Sequence, residues 1–203
     1  MMFRFISLGC DSQSAIHIQK RQPSTVTHFF DQLGSTLHGV MKLIEDDFQG
    51  FLDEQNLLPL FAENALQAVI DCKYKIDVLS SVHNLDDMNF ARVRSVYRQR
   101  AQWFRDLFSD ESPPTYFVRR WDGRDPDDSD DDPLALLAML QKRRDDVRLL
   151  YLHADPTRPP RAAPGFRSAF LPQPDPAIPH ARDLAWQDAL LGTAMSRIVD
   201  DGG

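Results

Sequence analysis

The chain has 203 residues, 42% of them hydrophobic and 26% charged, with a formal net charge of −7. That size supports one domain with its own core and no need of disulfide or metal staples. The acidic balance argues against a binder of duplex nucleic acid, and no apolar run approaches the length of a membrane span.

Two cysteines, Cys10 and Cys72, are too few for a disulfide framework or a cysteine-rich zinc site. They read as reduced thiols of a cytoplasmic protein. Leu8-Gly9-Cys10 has the outline of a lipoprotein cleavage site, but the apolar stretch before it is too short for a signal sequence. The expected location is therefore the cytoplasm, with export by a non-classical route left open.

In chain order, Phe3 to Leu8 reads as a strand that Gly9 ends. Asp11 or Ser12 then caps a helix running to about Arg21. Thr25 to Phe30, β-branched and aromatic, predicts a strand or extended segment. Leu37, Val40, Met41, Ile44 and Phe48 fall at helical spacing from about Ser35. Leu60, Phe61, Ala65, Ala68 and Val69 suggest another helix. Tyr74 to Val82 reads as a strand ending at His83. Phe90, Val93, Tyr97, Ala101, Phe104 and Phe108 mark a long amphipathic helix with Arg92, Arg94, Arg98 and Arg105 on its other face. Such a stripe is more simply a solvated face than an anion-binding one.

Pro113-Pro114 precede a strand, Thr115 to Trp121, and Asp132-Pro133 open a helix holding Leu134 and Leu137. Between them, Asp122 to Asp132 carries seven aspartates and one arginine. Without the Gly and Glu of a calcium loop at the right offsets, this reads as a solvated acidic loop. Val147 to Leu152 is the last strong strand. From Asp155 to Pro179 the chain places eight of its fourteen prolines, which predicts an extended connector rather than a helix or central strand. Asp183 then caps a helix whose Leu184, Trp186, Ala189 and Leu190 should dock on the core. The expected organisation is a domain over 1–153, a connector over 154–180 and a C-terminal helix over 181–203. Strands alternating with helices indicate a single α+β domain with α/β-like alternation.

The segment with chemical interest is Ser7-Leu8-Gly9-Cys10-Asp11-Ser12, which runs from a strand through a turn into a helix. It places Ser12 at a helix N-terminus, where backbone N–H groups and the helix dipole stabilise negative charge. Hydrolases use such positions to lower a thiol pKa or to hold an oxyanion. On the residues alone, an ordinary N-cap is the simpler reading. His83, at a strand end, could face such a terminus across a cleft. There is no Walker loop, dinucleotide fingerprint or zinc-protease motif. His17, His28, His38, His153 and His180 lack metal-ligand spacing, so neither cofactor nor metal is expected.

Taken in order, these segments resemble the bacterial family of papain-like cysteine peptidases. Its members open with a strand, Ser-Leu-Gly, two variable residues, a Cys and a helix. The matching stretches here are Ser7-Leu8-Gly9, Phe30-Asp31-Gln32-Leu33, the helix from Gly39-Val40 through Ile44-Glu45 to Phe51-Leu52, Tyr74-Lys75-Ile76, and Phe117-Val118-Arg119. The resemblance covers residues 4 to 152, with Trp186 matching a Trp near the family's C-terminus. It implies a papain-like fold with the nucleophile at Ser12, where the family has Cys, and the base at His83. Asp122 is the candidate to orient the imidazole, with Asn84 as its rival.

Cys10 falls two residues too early and, by strand alternation, reads as a buried small hydrophobe. No Gln precedes Ser12, so only its backbone is a candidate oxyanion donor. The implied reaction is acyl transfer from an amide or acyl substrate, whether peptide, protein or small molecule, through a covalent acyl-enzyme. Hydrolysis, deamidation and transfer to an amine share those steps. The serine has three explanations: an introduced substitution that silences the site, a naturally degenerate site, or a working serine nucleophile. The rival class is a non-catalytic pseudoenzyme or protein-binding module, in which Ser12 only caps its helix.

Overall fold

The computed structural model describes residues 4–10, 12–23, 26–62, 65–79, 90–109, 111–121, 133–157, 161–171, 183 and 185–190. In chain order the elements are β1 (Arg4–Ser7), α1 (Gln13–Arg21), β2 (Leu33–Ser35), α2 (Leu37–Glu45), a 3-10 turn (Glu54–Asn56), β3 (Leu57–Ala62), β4 (Ala65–Asp71) and β5 (Ile76–Leu79). They continue with α3 (Phe90–Asp106), β6 (Thr115–Trp121), α4 (Pro133–Gln141), β7 (Arg148–His153), β8 (Ala162–Ala163) and β9 (Phe166–Phe170). Residues 185–190 are helical.

The strands form two sheets. One has the order β1-β6-β7-β9-β8, parallel except for the edge strand β8. The other is antiparallel, in the order β2-β5-β4-β3. The mixture makes a single α+β domain, with the α/β-like alternation carried by the parallel sheet.

That sheet is covered on both faces, which is why Tyr116-Phe117-Val118 in β6 and Leu149 to Leu152 in β7 are unbroken apolar runs. In-register rows sort the side chains. Ile6, Phe117, Leu149 and Phe166 share one row. They join Val40 and Leu43 of α2, Val93 and Phe104 of α3, and Leu136 and Leu140 of α4 in the larger core. On the opposite face Phe5, Tyr116, Val118, Leu150 and Leu152 pack with Ile18 of α1 and with Trp186, Ala189 and Leu190. Trp186 is fully buried and stacks on His17 of α1 at 4.7 Å between ring centroids.

Gly39 explains how closely α2 approaches the second sheet. A Cβ there would lie 2.0 Å from the Tyr74 carbonyl oxygen, so only glycine fits. The cap is equally local: Thr36 Oγ1 accepts from the Gly39 N–H at 2.8 Å.

Three expectations are corrected. Residues 26–30, from the segment read as extended, are irregular and end in a turn that buries Phe29 and Phe30. The described residues from Leu60 to Val69 are not helical but lie on the paired strands β3 and β4. Leu60 and Phe61 are 41% and 66% exposed, so their apolar spacing does not mark a buried helical face. The proline-rich stretch contains β9, which lies between β7 and β8 in the sheet. Phe166–Phe170 is free of proline and follows Gly165 at φ +73°, so the chain can turn and rejoin the sheet there.

Trp186→Ala should therefore cost about 3–5 kcal/mol of unfolding free energy, the usual range for emptying a buried Trp site. Urea denaturation measures it, and a loss below about 1 kcal/mol would contradict the packing of Trp186 under the sheet.

Candidate functional site

The site is built on the turn that joins β1 to α1. Leu8 still belongs to the sheet, its N–H donating to the Val118 carbonyl at 2.8 Å. The next two residues are left-handed, Gly9 at φ +81° and Cys10 at φ +80°. Glycine adopts this readily and cysteine does not. Gly9 has a second reason to be glycine, since a Cβ there would stand 2.5 Å from Ser35 Oγ. Cys10 is half-buried in the turn, after the strand has ended, so strand alternation does not describe it.

Hydrogen bonds hold this geometry. The Gly9 N–H donates to Ser7 Oγ at 3.1 Å, and the Cys10 N–H donates to Ser35 Oγ at 3.1 Å. Arg119, fully buried on β6, donates from Nη1 to the Leu8 carbonyl at 3.0 Å and to Ser35 Oγ at 2.9 Å. Its Nη2 donates to the Ser35 carbonyl at 2.6 Å. Neither Arg119 nor Ser35 was singled out from sequence as a site residue. The Phe117-Val118-Arg119 stretch was the available signal.

Ser12 is the N-cap residue of α1, exposed, with φ −74° and ψ −8°. Its carbonyl accepts from the Ile16 N–H at 3.0 Å, but its side chain makes no capping hydrogen bond. The simple capping reading thus fails for the hydroxyl, although the residue does occupy the cap position. The first turn of α1 carries no acidic residue to offset the positive end of the helix.

Ser12 lines a cavity of about 660 Å³ between α1, β1, the segment after α1 and the C-terminal end of α3. That volume suits a small molecule or a few residues of a peptide. Ile16, Val26 and Trp103 give it apolar walls, and His28 and Asp31 give it polar ones. The His28 backbone N–H donates to Asp31 Oδ2 at 2.7 Å. Burial pushes the Asp31 carboxyl up to about 6, against the pull of that hydrogen bond and of Arg100. Burial, then the charges of Arg4 and Arg100, push the His28 imidazole down to about 4. At neutral pH the wall therefore holds a carboxylate and a neutral imidazole. Sequence spacing did not mark this pair, because burial of neighbouring loop residues sets both values.

His83, Asn84 and Asp122 lie outside the described residues, as does the acidic stretch to Asp132. Trp121, the residue before Asp122, ends β6. His153 is buried at the end of β7, its Nδ1 3.0 Å from the Asp155 carbonyl oxygen. Among the described residues no group of three or more His, Cys, Asp or Glu is placed to hold a metal ion. No helix among them is long and apolar enough to cross a membrane.

The cavity pair has opposed consequences for stability. Folded His28 stays unprotonated down to about pH 4, whereas the unfolded chain protonates it near 6.5, so stability falls as pH drops through that window. Folded Asp31 takes up its proton near pH 6 and the unfolded chain only near 3.8, so stability rises over nearly the same drop. Each effect is on the order of 3 kcal/mol, and together they nearly cancel. Asp31→Asn removes the compensating half. Relative to the parent, it should lose roughly that amount of stability between pH 6.5 and pH 4 in urea unfolding. A difference that does not change with pH would contradict the assignment.

A family model described as "Putative papain-like cysteine peptidase" matches residues 3–150. No curated protein and no solved structure is significantly similar to the chain. The match starts just before β1 and takes in the Ser12 turn, α1 to α4, the whole antiparallel sheet, Arg119 and the first half of β7. A correspondence of that extent makes the chain a member of the putative papain-like cysteine peptidase family.

Proposed function

We propose that the chain carries an acyl-transfer site of the thiol-hydrolase type, with position 12 as its nucleophile. The supporting observation is the Ser12 side chain: exposed, not engaged as a cap, at the N-terminus of α1 and on the wall of the 660 Å³ cavity. The substrate is an amide or acyl group of a peptide, a protein or a small molecule. Cys10 and Cys72, which form no disulfide, fit a reducing compartment such as the cytoplasm.

In this reading the side chain at position 12 attacks the carbonyl carbon and His83 accepts its proton. Asp122 orients the imidazole, and backbone N–H groups at the start of α1 face the oxyanion. Collapse of the intermediate expels the amine, which takes the proton back from His83 and leaves an acyl-enzyme. Water or a second amine, deprotonated by His83, then attacks the acyl carbonyl and releases the product. A hydroxyl is far less ionised than a thiol at neutral pH, so the serine form turns over slowly, if at all. Because the resemblance implies Cys at the position of Ser12, the second reading is a pseudoenzyme that binds acyl or amide ligands in the same cavity without reacting.

Installing the thiol separates the two. Ser12→Cys should be alkylated by iodoacetamide near neutral pH faster than Cys10 or Cys72, as read site by site by peptide mapping. A helix N-terminus and a neighbouring imidazolium both lower a thiol pKa. Adding His83→Ala should slow the reaction about tenfold, the effect of losing one pKa unit. A thiol at position 12 that reacts no faster than Cys72 would overturn the catalytic reading in favour of the binding one.

A further inference from the structure

A buried guanidinium is an expensive way to fill a core position, since an apolar side chain of similar volume avoids the desolvation penalty. Arg119 occupies such a position, fully buried on β6, on the face of the sheet that also carries Phe117 and Tyr151. Three of its hydrogen bonds converge on two points, the Leu8 carbonyl and Ser35 of β2. Leu8 immediately precedes the left-handed pair Gly9–Cys10. Ser35 is the residue whose Oγ accepts from the Cys10 N–H. The cation thus grips the turn on the side where the strand ends and, through one hydroxyl, inside the pair itself.

A left-handed backbone at a residue with a side chain costs on the order of 1–3 kcal/mol and persists only where its surroundings enforce it. At Cys10, Ser35 and, behind it, Arg119 supply enforcing contacts. Two residues later the chain reaches Ser12, the exposed N-cap residue of α1. We propose that Arg119, acting through Ser35, is a positioning residue for the nucleophile. It fixes the turn so that the side chain at position 12 and the first N–H groups of α1 meet the same substrate carbonyl. Its charge, shielded from water, adds to the helix terminus in favouring an anion at position 12. This rests on the acyl-transfer reading above and adds to it the device that aims the nucleophile.

The test uses the full chain carrying Ser12→Cys, with the rate of iodoacetamide alkylation at position 12 followed from pH 5 to pH 9. Arg119→Met should move the midpoint of that curve up by about one unit, a loss of about tenfold in rate on its acidic side. Alkylation of Cys72, in the same samples, should not change. Arg119→Lys keeps the charge without the fork and should restore the midpoint in part, which a purely structural role would not do. Ser35→Ala removes the hydroxyl between Arg119 and the Cys10 N–H and leaves the core cation in place. It should shift the midpoint in the same direction with little change in melting temperature, so the test stands even if Arg119→Met does not fold. A folded Ser35→Ala protein with the parent's midpoint would overturn the positioning role while leaving the acyl-transfer reading intact. A parent Ser12→Cys protein with no reactivity above that of Cys72 would overturn both.

Discussion

The left-handed passage through Gly9 and Cys10 is the constraint on which the site depends. A strand that entered its helix through ordinary right-handed residues would aim α1 elsewhere. Here the chain reverses sharply, and the reversal is held between the two sheets. Leu8 is bonded to Val118 in the parallel sheet, and Cys10 is bonded to Ser35 in the antiparallel one. Arg119 spans that junction. The second sheet therefore contributes to the site without lining the cavity with its strands. Its β2 brings Ser35 to the turn, and β2 is itself placed by pairing with β5 through Leu33↔Val78 and Ser35↔Ile76.

α1 is fixed from its other end by the C-terminal segment. Trp186 stacks on His17, and Asp183 lies 3.5 Å from His17 Nδ1 and 3.4 Å from Lys20 Nζ. The ion pair with Lys20 is exposed and contributes little; the buried ring supplies most of the hold. Along the cavity wall the electrostatics are mixed. Asp31 puts a carboxylate in the same cavity as Ser12, which opposes a second anion there. Arg100, whose Nη2 donates to Gln32 Oε1 at 3.2 Å, and Arg4 lie close enough to influence the pair. The positive end of α1 and the Arg119 charge act in the other direction, towards an anion at position 12. An anionic nucleophile in this cavity is favoured only if the second group of effects exceeds the first.

Much of the scaffold was legible in the sequence because its signals are local. Thr115 to Trp121 is a strand with the bounds its composition indicates, and Phe90 to Asp106 follows its helical spacing nearly to the residue. The strand, turn and helix around Ser12 were likewise written in Gly9 and the polar residues after it. Elements that depend on partners were not. Leu60 to Val69 carries apolar residues at a spacing compatible with either structure, and pairing with β5 decides for strand. Phe166–Phe170 was hidden among prolines, and only the open edge of β7 makes it a strand. The site shows the same division. The place of Ser12 at the start of α1 could be read from its own neighbourhood. Arg119 and Ser35 could not, because they lie 84 residues apart and their meeting is a property of the two-sheet junction.

The central claim is that position 12 and His83 form one reactive pair at the cavity. The most direct measurement is the separation of their side chains in a crystal structure of the full chain. Catalysis requires the His83 imidazole within roughly 4 Å of the position 12 side chain, allowing for the looser contacts of an unliganded site. An imidazole more than roughly 8 Å away, or on the far side of the sheet from the cavity, would contradict the pair and leave Ser12 as a residue at the edge of a binding pocket.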